Sequence, residues 1–188
     1  MQGWWLCPLL AVACLAHAGD PDVRLDQQRS HAEFEVKVMW LIGVHGDFGN
    51  VHGDVVVNHF RDTATVDAYI DANDLHMRNR SYEAWTKSDE FFDSEHYPQI
   101  HFEADDLPLQ RLQRGGEVKG TLTIRGHRRP VSFEIDPASC SDPLSGACAI
   151  EAHGNIRRSD FGMRSRRATL ADRVQLRLTI FVAAEPAK

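Results

Sequence analysis

From Glu33 onward the chain alternates apolar and polar side chains almost residue by residue, the two-residue period of strands with one dry and one wet face. Phe34, Val36 and Val38 alternate with Glu33, Glu35 and Lys37. Gly46 to Asn58 is a second candidate strand carrying Val51, Val55 and Val57, with Gly49 and Gly53 at bends or bulges. Ala64, Val66, Ala68 and Ile70 form the inward set of a third, against Thr65, Asp67, Tyr69 and Asp71. The period then breaks: Arg78 to Ser88, with Tyr82, Trp85 and good helix formers, predicts one short helix or irregular excursion.

The stretch from Lys87 to Phe102 is the most informative. Phe91 and Phe92 fit no strand pattern and need apolar cover, which predicts that they cap one end of a core or cavity. Pro98 then opens a strand in which Ile100 and Phe102 alternate with His101 and Glu103, a position where its missing N–H falls before the ladder begins. Val118, Leu122 and Ile124 follow, against Lys119, Thr121, Thr123 and Arg125. Val131, Phe133 and Ile135 oppose Ser132, Glu134 and Asp136, and the link from Gly126 to Pro130 suits a hairpin turn. Ile150, Ala152 and Ile156 alternate with Glu151, His153 and Asn155. The last strand is the clearest: Val174, Leu176, Leu178, Ile180 and Val182 against Gln175, Arg177 and Thr179.

About eight antiparallel strands with one dry face predict an all-β fold, a single antiparallel barrel with one short helix, because closure also removes exposed sheet edges. A barrel of that size is either just filled by its side chains or holds one small ligand. Small inward residues, Ala64, Ala68, Ala104, Gly120, Ala152 and Gly154, leave room unless larger neighbours lean across them. On pattern alone a filled core is the simpler outcome.

Composition adds the compartment. Leu6 to Ala16 is an apolar run too short to span a bilayer, and Ala16-His17-Ala18 offers the small residues that a signal peptidase reads. Residues 1–18 are therefore expected to be a cleaved signal peptide and 19–188 the mature domain. A competing reading, lipidation at Cys14, lacks the leucine expected three residues earlier. No Lys or Arg precedes the apolar run, so only the amino terminus supplies positive charge there. Beyond residue 18 only Cys140 and Cys148 remain, around a Pro- and Gly-marked turn, and an oxidising compartment lets them pair. The net charge of −6 argues against nucleic acid as a partner, and no later stretch is apolar enough for a transmembrane segment.

The order of these segments resembles the YceI-like family, exported bacterial proteins with a lipocalin-like barrel. The resemblance rests on Ser30-His31-x-x-Phe34-x-Val36, Gly46-x-Phe48 and Ser88-x-x-Phe91-Phe92-Asp93-x-x-x-Tyr97-Pro98-x-Ile100-x-Phe102. It continues through Gly120-x-Leu122-Thr123-Ile124-x-Gly126, Pro130-Val131, Ser159-Asp160-Phe161-Gly162-Met163 and Asp172-x-Val174-x-Leu176, and spans roughly Asp22 to Val182. It implies a periplasmic protein that holds a long-chain isoprenoid lipid, a quinone or a prenyl precursor, inside the barrel. With the inward pattern, it points to a lining of Phe34, Val36 and Val38, then Val66, then Phe91 and Phe92, then Ile100 and Phe102. Leu122, Ile124 and Phe133 continue that lining, with Phe161 and Met163 and finally Leu176 and Leu178. Two departures stand out. Val38 holds a place where many members carry histidine, and Tyr82-Glu83-Ala84-Trp85-Thr86 replaces an Arg-Asp-x-His-Leu run. If those polar residues position a ligand head group, this chain is expected to bind a different ligand, or none.

Other chemistry finds little support. The histidines, among them His45, His52, His59, His96 and His101, show no helical His-x-x-x-His spacing, and no metal site or cofactor is expected. Arg157, Arg158, Arg164, Arg166 and Arg167 surround Phe161-Gly162-Met163, where guanidinium groups either meet a diphosphate or an anionic lipid surface, or form a solvated loop balancing nearby acids. With no Gly-x-Ser-x-Gly elbow, phosphate loop or dinucleotide fingerprint, enzymatic activity is not expected. The rival expectation is an interaction module in envelope stress or electron transfer, with a filled barrel and a protein partner.

Overall fold

A computed structural model describes residues 23–183, so the expected signal peptide and Cys14 lie outside the described residues. The chain forms one curled antiparallel sheet of eleven strands. They are β1 (Val23–Arg24), β2 (His31–Val38), β3 (Ile42–Phe48), β4 (Val51–Asn58), β5 (Thr63–Asp71) and β6 (Leu75–His76). After helix α1 (Arg80–Lys87) come β7 (Gln99–Pro108), helix α2 (Leu109–Arg114), β8 (Gly116–Ile124), β9 (His127–Ile135), β10 (Ile150–Arg157) and β11 (Leu170–Ile180). Their order across the sheet is β1-β4-β5-β7-β8-β9-β10-β11-β2-β3-β6. No helix among the described residues is long and apolar enough to cross a membrane.

Eleven strands rather than about eight arise because two long strands are interrupted. The chain 23–38 runs beside 42–58: Val38 faces Ile42 and Ala32 faces Phe48, and then Arg24 faces Asp54. A turn held by the Asp26 carboxylate, which accepts from the Gln28 N–H at 3.0 Å, separates β1 from β2. Past β11 the chain returns to β1, with Leu25 bridging Val182 and the Asp26 N–H donating to the Phe181 carbonyl at 2.8 Å. The short β6, pairing through Leu75 with Phe48, accounts for the third extra strand.

Four local expectations need correction. The second strand begins at Ile42, not near Gly46, and a two-residue interruption at Gly49-Asn50 divides it. The hairpin before β9 turns at Arg125 and Gly126, both at positive φ (52° and 70°), so Pro130 lies within the strand opposite Thr121 rather than in the turn. The last strand ends at Ile180, and Val182 belongs to the isolated bridge. A second helix, α2, follows Pro108, six residues without a side-chain cap, held at its inner face by buried Leu112. The expected helix is present as α1, whose N-cap Asn79 accepts from the N–H groups of Ser81 (2.8 Å) and Tyr82 (3.3 Å).

Inside the sheet, three aromatic rings lie directly over glycines. A Cβ built on Gly46 would sit 2.5 Å from the Phe34 ring, on Gly120 2.5 Å from Phe102, and on Gly154 2.7 Å from Phe133. The small inward residues therefore do not simply open space; they let rings lie flat against the strands. Cys140 and Cys148 are joined by a disulfide.

Candidate functional site

The curled sheet encloses a cavity of about 300 Å³. An engineered apolar cavity of roughly half that volume admits a benzene ring and stays dry. The interior is therefore not plugged by its own side chains, and the filled barrel of the rival expectation does not hold. Alternation built this wall: Ala64, Val66, Ala68 and Ile70 of β5 all face the cavity, while Asp67 and Tyr69 point outward.

Fourteen of the expected residues lie along the wall. Phe34, Val36 and Val38 come from β2, Val66 from β5, Ile100 and Phe102 from β7. Leu122 and Ile124 come from β8, Phe133 from β9, and Leu176 and Leu178 from β11. Met163 and the adjacent pair Phe91 and Phe92 complete them. Phe161 is the exception: it is 1 % exposed, packed in the core beside the wall rather than on it. Its place in the sequence, at the end of a 3-10 turn with Gly162 at φ 81°, directs it into that packing.

Phe91 and Phe92 cap one end. Phe92 meets Phe48 edge-on at 5.4 Å and Phe34 at 6.1 Å, and Phe91 meets Trp85 of α1 edge-on at 4.8 Å. The loop carrying them is folded on itself by the Asp93 N–H donating to the Ser88 carbonyl (2.8 Å) and the Tyr97 N–H to the Asp93 carbonyl (2.8 Å). At the other end Leu107, Leu112 and Leu144 close the wall, the last supplied by the disulfide loop.

The polar groups on the wall are unevenly distributed. Glu33 is exposed and pairs outward with Arg177. The other four, Tyr82, Thr86, Arg158 and Thr169, gather at the α1 end, where Tyr82 and Thr169 are exposed to solvent. Arg158, only 2 % exposed, donates to three carbonyls: from Nη1 to Met163 (2.7 Å), from Nε to Ala171 (3.0 Å) and from Nη2 to Leu170 (3.2 Å). Its guanidinium also faces the Phe91 ring at 6.0 Å. Burial pulls its pKa below the ordinary arginine value, and Asp172 opposes that shift. Of the expected arginine cluster, Arg158 is thus a structural brace, while Arg157, Arg164, Arg166 and Arg167 are exposed.

Sequence reasoning missed several wall residues. Met77, Leu144 and Arg158 sit in irregular segments where periodicity gives no inward direction. Leu144 alone carried a signal, as the one large apolar residue of its turn. Of the histidines, His52 and His101 flank Tyr69 on the outer face (5.9 and 4.2 Å between ring centres), and His101 is paired with Asp67. Among the described residues no three His, Cys, Asp or Glu side chains are grouped to hold a metal ion.

Comparison with known proteins bears on this geometry. The family described as YceI-like domain matches residues 24–182. A UPF0312 protein of Yersinia enterocolitica is 26% identical over 164 residues, covering 85% of this chain and 84% of that protein. The fold is shared with Burkholderia cenocepacia BcnA (TM-score 0.66, 20% identity, 85% of this chain and 99% of the other). It is shared equally with a polyisoprenoid binding domain from Saccharophagus degradans implicated in plant cell wall breakdown (TM-score 0.65, 14% identity, 88% and 100%). A Campylobacter jejuni YCEI protein aligns over 78% of this chain and 88% of its own, with TM-score 0.63 and 20% identity.

Proposed function

The chain belongs to the YceI-like family, and from that premise we propose that it is a periplasmic carrier holding one elongated apolar molecule, a polyisoprenoid such as a quinone or its prenyl precursor. The observation that carries this reading is the cavity of about 300 Å³, whose wall is apolar from Trp85 on α1 to Leu112 on α2. Removal of apolar surface from water is worth roughly 25 cal/mol per Å², and that gain drives binding against the cost of ordering a flexible chain. The Saccharophagus neighbour, a polyisoprenoid binding domain, supports an isoprenoid as the class of ligand.

The uneven wall sets an orientation. A prenyl tail lies along Phe102, Leu122, Phe133 and Leu178, and a polar head rests at the α1 end beside Tyr82, Thr86 and Thr169. No group in this arrangement performs chemistry on the ligand; the protein binds and releases it. Residues 1–18 direct export and are removed after Ala18.

The test is native mass spectrometry and solvent extraction of the protein purified from its own host. A prenyl lipid at about one per chain is the expected outcome. Protein that repeatedly emerges empty, and fails to bind added long-chain prenols, overturns the proposal.

A further inference from the structure

The most unusual surface of the molecule is the hairpin between β2 and β3. Its apex carries four consecutive large apolar residues: Met39 (58% exposed), Trp40 (70%), Leu41 (87%) and Ile42 (62%). Single exposed apolar residues are ordinary, but four together at one apex are not. The backbone adds a second observation. Met39 and Trp40 both lie at positive φ, 51° and 65°, the paired left-handed geometry of a tight hairpin turn that favours Asn-Gly. Elsewhere three of the five other non-glycine residues at positive φ are aspartates, which tolerate it. Bulky Met and Trp thus stand in a strained turn with most of their surface in solvent, and such outliers cluster where function holds them.

This apex stands at the α1 end of the cavity and beside the exposed arginines. The Met39 N–H donates to the Thr169 carbonyl at 2.7 Å, and the Thr169 N–H in turn donates to the Arg166 carbonyl at 3.0 Å. Arg164, Arg166 and Arg167 are exposed in that loop, and Lys37 is exposed on β2. Among the described residues one acid answers them directly, Glu90 at 3.8 Å from Arg166, whose guanidinium also lies 5.3 Å from the Trp85 ring. Val38 and Thr169, the residues bordering this junction, are themselves part of the cavity wall.

We propose that the Met39–Ile42 apex and the 164–167 arginine loop form a foot that docks the α1 end of the cavity onto an anionic lipid bilayer. Trp, Leu and Ile at a protruding tip with arginines behind them match the membrane interface, where the aromatic ring sits at headgroup level and the cations meet anionic lipids. A bilayer accepts a four-residue tip; a stable protein partner needs about 800 Å² from each side. The barrel itself stays outside, because its outer positions carry Glu33, Lys37, Arg173 and Arg177 rather than the apolar band of a membrane barrel. Docking is read from this surface alone, whereas its purpose, passing the apolar ligand between bilayer and cavity, rests on the carrier reading.

The experiment is flotation of the lipid-stripped chain with vesicles of phosphatidylethanolamine and phosphatidylglycerol, or of phosphatidylcholine alone. Parent and variants share the same N-terminal residues, so any contribution of that apolar run is common to them. The parent binds the anionic vesicles preferentially, and added salt weakens that binding. The pair Met39→Asn and Trp40→Gly, which suits the turn, raises the unfolding midpoint yet lowers vesicle binding at least about tenfold, so loss of binding cannot be blamed on misfolding. Changing Arg164, Arg166 and Arg167 to Gln costs roughly fivefold per charge and removes the anionic preference. Parent protein that binds neither vesicle, or a tip variant that binds as well as the parent, overturns the proposal. So does a tip whose loss abolishes binding of a stoichiometric protein partner while vesicles are ignored. Prenyl-lipid extraction succeeds or fails independently of these outcomes, so the two proposals fall separately.

Discussion

Arg158 gives the residue scale its clearest case. In sequence it is one of five arginines around Phe161; in the fold its three donated hydrogen bonds tie the Met163 turn to the start of β11. Replacing it with Met leaves three carbonyls without their donor in a buried setting, and a loss of about 2–4 kcal/mol in denaturant unfolding is expected. A substitution to Met at exposed Arg164 leaves the midpoint unchanged. A second residue effect is pH-dependent. The His96 Nδ1–H donates to the Asp93 carboxylate at 2.8 Å, and that hydrogen bond, with the Asp93 charge next, raises its pKa above the ordinary histidine value. Its contribution to the Phe91-Phe92 loop is complete below the unfolded histidine pKa and is lost as pH rises through the raised one. An NMR titration of His96 with a midpoint above 6.5, returning towards 6.5 in Asp93→Asn, is the expected result. A midpoint indifferent to that substitution contradicts it.

At the scale of elements, strict alternation made the strands legible. From Ala64 to Asp71 and from Val174 to Ile180, facing could be read directly, because a period of two admits only one buried set. What alternation did not encode was interruption. The 42–45 segment begins in a continuous apolar run from Val38, α2 is six residues long, and the turn at Arg125-Gly126 uses a left-handed arginine that no turn preference predicts. Nor did the sequence show that glycines serve as seats for rings. Gly46→Val pushes against Phe34 and Leu75, side chains rather than backbone, and drives the Phe34 ring off its strand towards the cavity. A stability loss of about 1–3 kcal/mol with weakened prenol binding follows, read by denaturant melts and titration. Loss of stability with ligand binding intact would show that the ring does not border the ligand. The Cys140–Cys148 bridge closes a short loop, so Cys148→Ser costs about 2–3 kcal/mol and loosens the Leu144 wall.

On the scale of the whole molecule, two interrupted long strands and a bridge from Val182 back to Leu25 beside β1 bend one sheet around an apolar cavity. The fold was legible because hydrophobic pattern and segment order agree. Whether the tube was hollow was not, since the same small inward residues serve an open cavity or a packed core equally well. The account depends on that hollow interior taking a hydrocarbon chain. Calorimetric titration of lipid-stripped protein with prenols of increasing length tests it most directly. Affinity that climbs with each isoprene unit until the cavity is full and then levels off, with a negative heat-capacity change, is the predicted result. Affinity independent of chain length, or no binding at any length, contradicts it.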